Sequence, residues 1–141
     1  VDGQRGERGD GVADAEHDAP VADVFSAACA SRAVLDHVAG RWGVLVLAAL
    51  HDGVFRFNAL RRRVQGVSEK MLAQTLQALE RDGFVHREAR STIPPHVEYS
   101  LTPAGREVAH RLLGLIEVLE AGVPAVLAAQ ARYDEAKAAG A

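Results

Sequence analysis

Between Gly66 and Leu101 the chain reads "GVSEKMLAQTLQALERDGFVHREARSTIPPHVEYSL", and its hydrophobic period changes once. That change constrains the fold more than any other feature. Up to Arg81, Leu72, Leu76 and Leu79, with Met71 and Thr75, recur at helical spacing and predict a buried stripe. Beyond Gly83 the period falls to two. Val85, Arg87 and Ala89 alternate with His86, Glu88 and Arg90, and Val97, Tyr99 and Leu101 alternate with Glu98 and Ser100, which predicts a two-stranded hairpin. Ser68 is placed to cap the helix, with Glu69 in the first turn favoured by the helix dipole. The residue three on is Met71, so a full capping box is absent. Pro94 and Pro95 cannot donate to a ladder and belong at the hairpin tip or edge.

The flanks add helices. "RWGVLVLAAL", from Arg41 to Leu50, is almost wholly apolar and reads as a buried helix with Trp42 as a core anchor. Before it, "VADVFSAACASRAVLDHVAG" predicts one or two short helices closed by Gly40. "FRFNALRRRVQG" predicts a short helix capped by Asn58, with Leu60 and Val64 on one face and Arg61, Arg62 and Arg63 around the others, ended by Gly66. Thr102 caps a further helix with Pro103 at its first position. Its apolar stripe is Val108, Leu112, Leu115, Ile116 and Leu119. Pro124 starts an alanine-rich helical segment, with 128–141 expected as a fraying extension. A long apolar helix at the chain end has two open readings: packing on its own domain, or on a second copy.

Residues 1–20 are rich in Gly and Asp without periodicity and predict a disordered acidic tail. They hold six acids and two arginines, so the net charge of −3 is misleading. From Arg56 to Arg111 there are ten Lys/Arg against six Asp/Glu. Local charge governs phosphate binding, and here it is basic. "DGVADAEHD" in the tail lacks the glycine and closing Glu of a calcium loop. The single cysteine, Cys29, excludes an internal disulfide and a Cys-rich zinc site. The six histidines are scattered, and neither a metal nor a cofactor is expected. No P-loop, HExxH or GxSxG pattern occurs, so an enzyme is not expected. No run approaches eighteen apolar residues and no secretory signal is evident, so a membrane location is not expected and a cytoplasmic one is.

Helix, short basic helix, tight turn, capped helix, hairpin, helix is the order of a winged helix-turn-helix: mainly α with a small β-hairpin wing. Three blocks in order carry a family resemblance: "CASRAVLDHVAGRW", "FRFNALRRRVQGVSEKMLAQTLQALERDGFVHRE" and "PPHVEYSLTPAGRE". Together, over roughly 29–127, they resemble the HxlR-type bacterial transcription regulators of the MarR-like group. The resemblance implies a DNA-binding homodimer, expected to be a repressor, with terminal helices forming the dimer and a pseudo-palindromic duplex as target. It makes 68–82 the recognition helix and 85–101 the wing. The chain departs from the family at Cys29-Ala30, where Cys-Pro is common, and at Thr75, where a basic residue is common.

Within that frame the side chains take expected roles. Gln74 donates and accepts at once and suits adenine; Lys70 suits guanine or phosphate. Ser68 at the helix start suits phosphate, and Thr75 a thymine methyl. Arg56, Arg61 and Arg62 are expected on phosphates, and Arg90 and His96 near the wing tip at the minor groove. Gln77 and Arg81 lie further along and read as solvent-facing. Cys29 has two open readings, a small buried hydrophobe or a sensor of oxidants and electrophiles whose pKa Arg32 and a helix start would lower. The effector implied is a small molecule or a thiol-reactive compound. The alternative function is a winged helix used only for protein contact.

Overall fold

The computed structural model describes residues 22–140. The expected acidic tail lies outside them. The chain divides after Asp36 into two compact units. In the first, residues 22–29 form turns that lead into helix α1 (Ala30–Ala39).

The second unit, from His37 onward, carries most of the secondary structure. Helix α2 (Arg41–Leu50) buries Val46, Leu47 and Leu50. Strand β1 (Phe55–Arg56) runs directly into α3 (Phe57–Arg63), and α4 (Glu69–Arg81) follows a short turn. Strands β2 (Val85–Arg90) and β3 (His96–Leu101) precede α5 (Pro103–Ala121) and α6 (Val123–Gly140). The sheet is antiparallel with order β1-β3-β2. Val85 lies opposite Leu101 and Arg90 opposite His96, the alternation expected of the hairpin.

The third strand was not expected. Phe55 pairs with Tyr99 and Arg56 with Glu98. Two residues are too short to show a period, and their partners lie more than forty residues away. This pairing also moves the start of α3. The N-cap is Arg56, without a side-chain cap bond, and Asn58 sits inside the helix. Ser68 and Thr102 do cap as expected. Ser68 Oγ accepts from Met71 N–H at 3.1 Å. Thr102 Oγ1 accepts from Gly105 N–H at 3.0 Å and donates to the Gly83 carbonyl at 2.6 Å.

Leu60, Val64, Val67, Leu72, Leu76 and Leu79 meet α2 and the inner sheet residues Val85, Tyr99 and Leu101 in one core. Met71 is exposed and Thr75 half-buried, because both lie at the margin of the stripe that Leu72, Leu76 and Leu79 centre. Trp42 packs on the core but is only half-buried. Gly105 lets the start of α5 close on the loop after α4, since a Cβ there would stand 1.9 Å from the Phe84 carbonyl oxygen. The last stretch is different. Leu115, Val118 and Leu119 on α5 are exposed, as are Val123, Val126 and Leu127 on α6, which buries no residue. The boundary expected at 127/128 falls inside α6. Among the described residues no single helix is long and apolar enough to cross a membrane.

Candidate nucleic-acid interface

The turn between α3 and α4 fixes the site. Val64 and Val67 are buried and pin it to the core. Between them Gly66 adopts φ +93°, a conformation that favours glycine. Ser68 then caps α4, so the helix begins at a defined residue. Its rotation is set by Leu72, Leu76 and Leu79, each 2 % exposed or less. The opposite face therefore shows Lys70, Gln74, Gln77 and Arg81 as one exposed stripe at helical spacing.

Two open grooves flank this helix start. The first is lined by Asn58, Arg61, Arg62, Gly66, Val67, Ser68 and Glu69. The second lies between α3 and the wing and is lined by Arg56, Phe57, Asn58, Ala59, Arg62, His96 and Val97. Asn58 and Arg62 belong to both, so Arg56, Arg61, Arg62, Ser68 and His96 come together on one continuous surface. Lys70 and Gln74 stand on the exposed face of α4. Arg63 turns the other way, into a groove with Leu45, Asp52, Leu113 and Glu120.

The cations are not equally available. Arg61 donates to Glu69 at 3.2 Å. Arg90 donates to Glu98 at 3.1 Å and lies 3.3 Å from Glu88. His96 Nε2 lies 2.9 Å from the second Glu98 oxygen, and its Nδ1 lies 3.1 Å from Thr92 Oγ1. The bond to His96, and then that to Arg90, hold the Glu98 carboxyl below the usual glutamate range. Among the described residues Arg56, Arg62 and Lys70 form no ion pair. Thr75 donates its hydroxyl to the Met71 carbonyl at 2.8 Å, which leaves the methyl as its free end.

Sequence reasoning missed three participants. Asn58 was taken for a cap, although its position four before Arg62 puts both on one face of α3. Glu69 was read only as a dipole partner, but it also neutralises Arg61. At the far end of α4, Asp82 takes a 2.5 Å contact from His37 Nδ1, across 45 residues of chain, where no sequence signal points to it.

Cys29 stands apart, in the first unit. Its sulfur lies 3.1 Å from Ser31 Oγ and accepts from Asp23 N–H at 3.3 Å. These bonds, Ser31's first, lower the thiol's pKa from the ordinary value. Arg32 does not cause the shift, because its guanidinium donates to the Phe25 carbonyl at 3.3 Å. Cys29 is half-exposed, which excludes the fully buried reading. Among the described residues no cluster of His, Cys, Asp and Glu suits a metal ion.

Residues 37–125 match the model of the HxlR-like helix-turn-helix family. The HTH-type transcriptional regulator YtfH of Escherichia coli (strain K12) is 56% identical over 106 residues, covering 75% of this chain and 84% of its own. The solved structure of the transcriptional regulator YtfH from Salmonella typhimurium superposes with a TM-score of 0.74 at 54% identity, covering 78% of this chain and 98% of that one. The redox regulator HypR in its reduced form gives 0.63 at 36% identity, covering 70% and 97%.

Proposed function

The chain belongs to the HxlR-like helix-turn-helix family, and from that premise we propose that it regulates transcription as a DNA-binding homodimer. Recognition helix α4 enters the major groove, and the β2–β3 wing lies on the minor groove or backbone. The locked rotation of α4 carries this reading. Three buried leucines hold Ser68, Lys70 and Gln74 outward beside the grooves that gather Arg56, Arg61, Arg62 and His96. Gln74 then reads a base, Lys70 a base or phosphate, and the free hydroxyl hydrogen of Ser68 a phosphate. Thr75 offers its methyl to thymine. Arg90 reaches the minor groove by exchanging Glu88 and Glu98 for phosphate.

The exposed apolar residues of α5 and α6 support a homodimer, since contiguous apolar surface marks an interface. A two-fold dimer presents two copies of α4 to a pseudo-palindromic operator. Occlusion of a promoter by that dimer makes the protein a repressor, acting in the cytoplasm. A thiol-reactive effector acts at Cys29, a reading supported by the lowered pKa of that thiol and by the likeness to HypR.

Selection of bound sequences from random duplexes, followed by gel shift, tests the proposal. Gln74→Ala relaxes choice at one position per half-site and weakens the preferred site by about 1–3 kcal/mol. Arg62→Ala weakens all sequences alike and flattens the salt dependence. Salt-independent or absent binding to duplex DNA would leave the fold as a protein-contact module.

A further inference from the structure

The first residue of α2 contributes nothing to the core. Arg41 is exposed, and its guanidinium carbon lies over the Trp42 ring, 4.6 Å from the centroid. Trp42 reaches toward the helix-turn-helix turn. A Cβ on Gly66 would stand 3.7 Å from the far edge of its indole. Gly66 in turn lines the groove that holds Arg61, Arg62 and Ser68. The stack therefore joins an arginine from a different helix to the turn that starts the recognition helix.

Two further observations concern Arg41's charge. No carboxylate among the described residues forms an ion pair with it, in contrast to Arg61 and Arg90. The aromatic face also holds the planar guanidinium in place without consuming its in-plane N–H donors. An arginine held that way is ready for bidentate recognition of a phosphate.

We propose that Arg41, seated on Trp42, is a phosphate-positioning residue that clamps the DNA backbone beside the start of α4 and sets the depth at which α4 docks. The proposal rests on the DNA-binding reading above and extends its footprint to α2. Trp42 is the chain's single tryptophan, so its emission reports on the stack directly.

The test is titration of the full chain with a fluorescein-labelled mixed-sequence duplex over a range of salt, read by anisotropy, with an unlabelled duplex for tryptophan emission. The wild type shows salt-dependent binding and a change in Trp42 emission on binding. In Arg41→Ala the slope of log affinity against log salt is shallower by about 0.9, the value for one lost phosphate contact. The emission change is also lost. Arg41→Lys keeps the slope, because the charge remains, but binds more weakly because a compact ammonium forms no bidentate pair. A slope in Arg41→Ala equal to the wild type's overturns this inference and leaves the DNA-binding reading intact. A wild type that binds no duplex overturns both. A variant that merely unfolds is distinguished by its thermal melt, and Arg41→Gln then supplies the neutral comparison of similar shape.

Discussion

At the scale of single residues, hydrogen bonds decide what Cys29 can do. The Ser31 hydroxyl stabilises the thiolate more than any other group, so the thiol ionises below the ordinary cysteine range. Ser31→Ala is expected to move the pH midpoint of Cys29 alkylation upward, measured with a chromophoric maleimide across the alkaline range. Replacing Arg32 leaves that midpoint in place, because its guanidinium is spent on the Phe25 carbonyl. A midpoint unmoved by Ser31→Ala would reverse this assignment. The sequence placed Arg32 one turn from the thiol and so favoured the wrong neighbour. Spacing along a helix gives proximity, whereas the hydrogen-bond partner depends on where the turn before α1 puts the Phe25 carbonyl.

At the scale of elements, local signals were legible and distant ones were not. Ser68 and Thr102 cap their helices through residues three away, and the leucines of α4 follow the helix's own period; both can be read from a short window. Strand β1 could not, because Phe55 and Arg56 become a strand only when β3 arrives beside them. The same holds for the wing's charges. Ion pairs of Arg90 and His96 with Glu98 depend on the register of β2 against β3, which the alternating pattern fixes only after folding. A pH dependence follows. The folded pKa of Glu98 is depressed, so its contribution to the wing is complete above the unfolded glutamate value of about 4.3 and is lost as pH falls through the folded value. The difference in thermal midpoint between wild type and Glu98→Gln should therefore be constant near neutrality and shrink in the acid range. A difference that persists below the carboxylate range would mean that packing, rather than charge, is what Glu98 supplies.

At the scale of the whole molecule, the terminal helices are unfinished without a second copy. Leu119 on α5 and Leu127 on α6 are each more than half exposed. The double change Leu119→Lys with Leu127→Lys touches no core residue. It should convert a dimer to a monomer in light scattering and weaken operator binding far more than it lowers the melting temperature of the monomer. The sequence left open whether this end of the chain packs inward or outward, since an apolar stripe looks alike in either case. The exposure of α6 along its whole length removes the inward reading.

The carboxylates beside the basic surface have a kinetic consequence. Glu69, Glu88 and Glu98 are tethered competitors for the phosphates that Arg61 and Arg90 would hold. Each such contact displaces an acid that stays within reach and returns at once when the phosphate slips. On arbitrary sequence, where backbone contacts are nearly all there is, residence is short and the protein moves on. On its own operator, base contacts from α4 prolong the stay. The acids thus weaken every encounter equally in strength but unequally in duration, and set how fast a genome is searched.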